Sequence, residues 1–409
     1  MDFIHTLDLK TQKIIKKESQ TLKKEKKTII FFVNSLEFFF SHRLDIAIEA
    51  EKNFKIVIVH GILASKSIYI NFSEIYQKYN FDYVELPFKS SQPNLLLDLK
   101  SIYFLLRLIC RVNPTIIHCI GMRASTCLFL LSPFLSKSNF IFSITGLGPF
   151  FADSNTLKKK ISNYFFKKLF YILVNFTVKK HISTFIVQNR FDKNFFSNFL
   201  KPHFHAKVIF ILGSGCNINN ILTYKARKKN IVLFPARILI DKGIIEFCQA
   251  ATILKKIFPN WHFYAAGASD YISSNSISIK YLSDYVPNNC VKFLGHVSDI
   301  DKLFSISSIV CLPSYREGAP KALIEASAHG CAIVTTNVPG CQDIITDGIT
   351  GKLVSEKSYM DLYNALLVLI SNRHLIRKYG SNARRLALKK FDIKLVVRTH
   401  MKMYLYYAK

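Results

Sequence analysis

Two carboxylates raise the first chemical question. The stretch Ser314–Gly330 reads SYREGAPKALIEASAHG, with Glu317 and Glu325 framing seven residues behind an apolar run. Pro320 fits the first turn of a helix, where its missing N–H costs nothing. The unpaired N–H groups of such a turn, together with the helix dipole, make an anion site. Glu317 sits in the loop before that turn, and Glu325 sits more than one turn inside the helix. One carboxylate can accept from a sugar hydroxyl and the other from a ribose diol, while the helix end between them faces phosphate. Spacing alone is also met by an exposed loop glutamate and a surface helix glutamate. The cations upstream shift that balance. Arg237 and Lys242, in LFPARILIDKGI, follow a second apolar run, and Gly243 opens another helix. Arginine offers a fork and lysine a point charge for a diphosphate. Further upstream, Gly213 and Gly215 in ILGSGCN make a turn where backbone can approach a ligand closely.

Residues this far apart need a scaffold of strands and helices to bring them together. TIIFFVN (28–34), FKIVIVH, YVELPF, TIIHCIG, FIFSITGLG and STFIVQN read as buried strands. Between them FFFSHRLDIAIEAEKN reads as one helix, and LLLDLKSIYFLLRLICRVNP as a long one stopped by Pro114. Near 201–217 the pattern restarts. NIVLFPARI, WHFYAAGA, CVKFLGH, SIVCLPS and AIVTT are strands, and KGIIEFCQAATILKKI and PKALIEASAHG are helices. Continuous apolar strands alternating with helices indicate parallel sheets covered on both faces. The expected fold is α/β: two Rossmann-like domains across a cleft, with ligands at the strand C-termini. The expected divisions are a basic extension over 1–27, a first domain over 28–208, a second over 209–395, and a final helix over 396–409.

Composition sets bounds. The chain has 409 residues, half of them hydrophobic, which is enough for two cores. Lys and Arg number 56 against 27 acids, a net charge of +29, so an anionic partner is expected. No RNP-type aromatic motif, zinc module or recognition helix accompanies that charge, and nucleic acid is set aside as a partner. Nine cysteines without a C-x-x-C pair, no long apolar span and no apolar leader point to a reducing, cytoplasmic setting. Residues 158–180, KKKISNYFFKKLFYILVNFTVKK, carry seven lysines and no acid, with Ile161, Phe165, Leu169, Ile172 and Phe176 at helical spacing. A basic amphipathic helix suits an anionic membrane surface, each nearby lysine contributing ~1 kcal/mol. The same stripe also suits an ordinary helix facing a core. Asp299-Ile300-Asp301 matches the D-x-D pattern of metal-dependent transferases, yet it precedes KLFSIS, where Ser298 or Asp299 fits a helix cap. No metal and no cofactor are expected, because Arg237, Lys242 and the helix dipole can stabilise a leaving diphosphate.

Taken together and in order, GSGCN, ARILIDKG, GHVSDI, PSYREGAPKALIEASAHGCAIVTTNVPGCQDII and DGITGKLV resemble the family-4 retaining glycosyltransferases of the GT-B fold. The resemblance implies that Arg237 and Lys242 hold the donor's diphosphate, that Glu317 meets the donor sugar, and that Glu325 meets the ribose. It also implies that the main-chain amides around Gly318, Ala319, Pro320 and Lys321 bind sugar or phosphate. The first half, through FFFSHRLDIAIEA, LPFKSSQPN, NPTIIHCIGMRAS, SITGLGPFF and FIVQNRFD, is similar to bacterial enzymes that extend polyprenyl-diphosphate-linked glycans for O-antigen, capsule or N-glycans. There the resemblance implies acceptor contacts at His42, Arg43 and Arg123, His42 and Arg43 also fitting a helix cap with polar neighbours, and a close backbone approach to acceptor or donor at Gly146 and Gly148. The subgroup's strand-end motif departs here: His118 is kept, Ile120 holds the second histidine's place, and Arg123 stands where lysine is usual. His118 is thus open to two readings, catalyst or packed residue. The implied reaction moves a hexose or N-acetylhexosamine from a UDP-sugar to a lipid-linked acceptor, peripherally at the inner face of the cytoplasmic membrane. A soluble acceptor and an inactive transferase-like scaffold are the alternatives.

Overall fold

The computed structural model describes residues 26–62, 76–89, 94–136, 138–146, 157–223, 228–269, 275–279, 281–282, 286 and 290–409. Most of the basic extension and Gly148 lie outside the described residues.

The first sheet has seven parallel strands: β1 (Thr28–Val33), β2 (Lys55–Ile62), β3 (Asp82–Lys89), β4 (Ile116–Ile120), β5 (Asn139–Ile144), β6 (Ile182–Val187) and β7 (Ala206–Phe210). Their order is β3-β2-β1-β4-β5-β6-β7. In β1 and β4 nearly every side chain is buried, as a sheet covered on both faces requires. The second sheet has six: β8 (Lys229–Phe234), β9 (His262–Ala266), β10 (Val291–Gly295), β11 (Ser307–Leu312), β12 (Ala332–Thr336) and β13 (Gly351–Val354), in the order β10-β9-β8-β11-β12-β13. Two Rossmann-like domains are therefore present. β7 pairs with β6 and carries the first sheet to Phe210, two residues past the expected boundary. Its half-buried, lysine-containing pattern marks an edge strand, which apolar runs do not reveal.

The expected single helix after β1 is two: α1 (Leu36–His42), capped by Ser35, and α2 (Leu44–Glu51). The break falls at Arg43, whose φ is −133° and whose guanidinium Nη1 donates to the His42 carbonyl at 2.9 Å. The other principal helices among the described residues of the first domain are α3 (Leu95–Val112), α4 (Met122–Leu131), α5 (Leu157–Lys180) and α6 (Arg190–Leu200). In the second domain the principal ones are α7 (Ile244–Ile257), α8 (Ile300–Ile306), α9 (Lys321–Ala328), α10 (Tyr359–Ile370) and α11 (Arg373–Lys390). The last helix, α12 (Ile393–Tyr407), crosses back. Val396, Met401, Met403, Tyr404 and Tyr407 pack into the core that Ile29, Phe31 and Phe39 build in the first domain.

On α5 the stripe Ile161, Phe165, Leu169, Ile172, Phe176 is 48–64% exposed, whereas Phe170, Val174 and Val178 face the core. The stripe is thus an outer surface and the core-facing reading does not hold for it. Among the described residues, no helix is long and apolar enough to cross a membrane.

Candidate active site

The strand order of the second sheet reverses between β8 and β11, which are hydrogen-bonded neighbours. Crevices at such reversals, beyond the strand C-termini, are where open α/β sheets bind ligands. The loop after β8 carries Arg237 and Lys242, and the loop after β11 carries Ser314 to Pro320. The two loops are tied together. Tyr315 N–H donates to the Asp241 carbonyl at 2.9 Å. Gly243, at φ +77°, stands against Pro313, where an added Cβ would lie 2.1 Å from the Pro313 oxygen.

The central contact is an ion pair. Lys242 Nζ lies 2.7 Å from Glu317 Oε1, both side chains being largely buried. Ser314 Oγ donates to the same oxygen at 2.9 Å. Two donors on one oxygen fix the carboxylate's orientation and leave its second oxygen for another partner. Arg237 lies on the same strand-end edge and is exposed.

α9 begins next to this pair. Pro320 occupies the N-cap, one position before the expected first turn, and supplies no side-chain cap. Among the described residues the Gly318 and Ala319 N–H groups have no hydrogen-bond partner. The loop thus presents uncapped donors beside Lys242. Glu325, one turn into α9, pairs with Lys321 at 3.1 Å. Burial pushes its carboxyl up, and Lys321 partly offsets that. The structure thus brings Glu317, Lys242, Gly318, Ala319, Pro320, Lys321 and Glu325 into one neighbourhood.

Other expected residues serve different ends. Gly213 and Gly215 have φ of +70° and +74°, as a glycine turn requires, but protein fills the space they leave. A Cβ on Gly213 would meet Ile324, and one on Gly215 would meet Ile393 at the start of α12. Gly215 thus lies against the start of the interdomain crossing, and Gly213 lies against Ala319 and Ile324 at the start of α9. Asp299 caps α8 through Lys302 N–H at 3.0 Å, and Asp301 pairs with His329 at 2.9 Å, which accounts for both carboxylates of the D-x-D pattern.

In the first domain the strand order reverses between β1 and β4. Arg123 lies there but is engaged by its own domain. It donates to the Lys89 carbonyl at 2.6 Å, pairs with Asp98, and stacks over Phe88. His118 is fully buried, Nδ1 lying 2.7 Å from Tyr404 Oη and Nε2 2.7 Å from Ser143 Oγ. Burial, with His400 and Arg43 nearby, holds it well below the usual histidine range. A fully buried imidazole with both nitrogens occupied beneath α12 has the surroundings of a packed core residue, and of the two readings of His118 the packed one replaces the catalytic one. Arg43 is likewise corrected. Its guanidinium is buried beside Tyr404 and His400 and does not open onto the cleft. His42 stacks on Phe38 at 4.2 Å, and burial plus the Lys321 and Arg43 charges lower it to about 3.

The domains touch at the Gly318 loop and the start of α9. Lys321 Nζ donates to the Ser41 carbonyl at 2.8 Å. Gly146, at φ +137°, faces Gly318, whose absent Cβ would stand 2.0 Å from the Thr145 carbonyl. Asn189 Nδ2 donates to the Gly318 carbonyl at 3.1 Å. Sequence reasoning passed over Ser314 and Asn189, since a small polar residue at a strand end is ordinarily a cap or a turn. It also passed over Asn34 after β1, whose buried Oδ1 has no partner among the described residues.

This is a two-domain α/β architecture whose second domain presents a Lys–Glu pair and an uncapped helix at a strand-order reversal. Residues 223–386, most of the second domain, match the family model for glycosyl transferases group 1. The chain is 27% identical over 333 residues to the N,N'-diacetylbacillosaminyl-diphospho-undecaprenol alpha-1,3-N-acetylgalactosaminyltransferase of Campylobacter jejuni, spanning 78% of this chain and 84% of that one. It is 26% identical over 216 residues to that organism's GalNAc-alpha-(1->4)-GalNAc-alpha-(1->3)-diNAcBac-PP-undecaprenol alpha-1,4-N-acetyl-D-galactosaminyltransferase, spanning 52% of this chain and 57% of that one. The sucrose-phosphate synthase structure from Thermosynechococcus elongatus superposes with a TM-score of 0.73 at 15% identity, over 94% of this chain and all of that one. At that identity the match speaks to the fold, which is GT-B.

Proposed function

We propose that this chain is a retaining, metal-independent glycosyltransferase that moves a hexose or N-acetylhexosamine from a UDP-sugar to a polyprenyl-diphosphate-linked glycan in surface-glycan synthesis. The observation that carries this is Glu317, held by Lys242 and Ser314 beside the uncapped start of α9. Similarity to two transferases named for undecaprenyl-diphosphate acceptors supports the acceptor class. The acceptor hydroxyl attacks the anomeric carbon and the nucleoside diphosphate departs. Lys242, Arg237 and the Gly318 and Ala319 amides meet the charge that develops on the leaving group. Glu317 orients the donor sugar. Glu325 takes the ribose diol once Lys321 turns toward phosphate. Front-face attack, with the departing phosphate accepting the proton, gives retention without a protein nucleophile. Domain docking excludes water and so limits hydrolysis.

The protein works peripherally at the inner face of the cytoplasmic membrane. The exposed α5 stripe and its flanking lysines support this, as do the exposed Leu96, Leu99 and Tyr103 on α3. The test is incubation with UDP- and GDP-sugars and a polyprenyl-diphosphate disaccharide in anionic vesicles. A glycan one sugar longer, formed with the α-anomeric linkage in the presence of chelator, supports the reading. Product only from water-soluble acceptors, or only with added metal, contradicts it.

A further inference from the structure

The Gly318 loop is gripped from outside its own domain. Asn189, 1% exposed at the end of β6, has a side chain that acts in two directions. Its Oδ1 accepts from Asp192 N–H at 2.7 Å and caps α6. Its Nδ2 donates to Asp192 Oδ2 at 2.9 Å and, across the cleft, to the Gly318 carbonyl at 3.1 Å. The next residue repeats the crossing: Arg190 N–H donates to Asp343 Oδ2 of the second domain at 2.9 Å. Thr145 closes the other side, its carbonyl lying where a Gly318 side chain would begin. Gly340 of the second domain lies beneath the loop, close to the Gly318 and Glu317 carbonyls. A peptide unit is planar with its N–H opposite its C=O. A hold on the Gly318 oxygen therefore sets the direction of the Ala319 N–H, and it does so one residue from Glu317.

We propose that Asn189 is a positioning residue of the first domain that aims the second domain's donor loop, so that the donor site is complete only when the two domains are docked. This rests on the functional reading above for the loop's ligand, but not for the grip itself. Asn189→Ser keeps an oxygen to cap α6 and is too short to reach Gly318. Asn189→Ala removes both roles. A single neutral hydrogen bond shifts an equilibrium by about five- to tenfold, and that is the expected scale. Without substrate, Asn189→Ser should speed tryptic cleavage after the half-buried Arg316 by that factor, because cleavage follows the population of the open loop. Cleavage after Lys179 on α5 should stay as in wild type. With substrate, the donor KM should rise by a similar factor while the acceptor KM stays put, although the residue lies in the acceptor-side domain. Wild-type behaviour of Asn189→Ser in both assays overturns the proposal. So does acceleration shared equally by the Lys179 site, which would leave Asn189 a helix cap only. If wild type transfers nothing from any donor, the functional reading falls, and Arg316 cleavage alone decides whether Asn189 holds the loop.

Discussion

Glu317 and Lys242 form a pair that neither residue's own sequence context contains. The motif around Glu317 makes it a candidate site residue, and the cations after β8 suggest a phosphate partner. Their contact depends on β8 and β11 lying side by side at the reversal of strand order. Glu317→Gln keeps the size and removes the charge that Lys242 and Ser314 hold. It should lower transfer by about a hundredfold, comparable to losing one preorganised electrostatic contact, with the melting temperature little changed. Steady-state rates with the best donor check this. Asp192 makes a pH prediction. Burial pushes its carboxyl from 3.8 up to about 6, against the Asn189 hydrogen bond and the nearby Arg316 charge. The folded state thus holds that proton more tightly than the unfolded one, so stability falls as pH rises from about 4 through 6. From 3.8 to about 6 the cost is roughly 3 kcal/mol at ~1.4 kcal/mol per pH unit. Asp192→Asn should melt above wild type at pH 8 and converge with it near pH 4; thermal melts across that range check it, and a constant offset would contradict it. His118 was open at the sequence level because a strand-end histidine looks alike whether it faces a cleft or a helix. Tyr404, 286 positions away, is what settles it.

At the scale of elements, the alternation of apolar strands and helices gave both sheets. What it concealed were the edge strand β7 and the break at Arg43, where a polar side chain turned inward interrupts a run that reads as continuous. α5 shows the converse. Its helical spacing is plain in the sequence, but spacing does not say which side meets the protein. Phe170, Val174 and Val178 take the core, and the Phe165 stripe is left outside. Because about half or more of each stripe side chain is exposed, Phe165→Ser with Leu169→Ser should leave the melting temperature nearly unchanged. The same pair should abolish co-sedimentation with vesicles rich in phosphatidylglycerol. Wild-type binding should also weaken as salt rises, since the flanking lysines add an electrostatic part to the attachment. Unchanged vesicle binding by the double variant would remove α5 from the membrane contact.

At the scale of the whole molecule, the two domains meet through small contacts at the chemical centre and through α12 at the back. Gly318 bears on both the chemistry and the docking. Its lack of a side chain reads, in the sequence, as room for a donor. In the structure that room is occupied by Thr145 of the other domain. Gly318→Ala should therefore hold the domains apart, seen as a larger radius of gyration in solution scattering. Transfer should fall by about a hundredfold, as a misplacement of about an ångström can cause. We propose that the loops after β8 and β11 form a nucleotide-diphosphate site. It is tested most directly by calorimetric titration of UDP and GDP into wild type and an Arg237→Ala/Lys242→Ala double variant. Wild type should bind UDP saturably, and the double variant should lose that binding. Binding of neither nucleotide, or equal binding by both proteins, would contradict it.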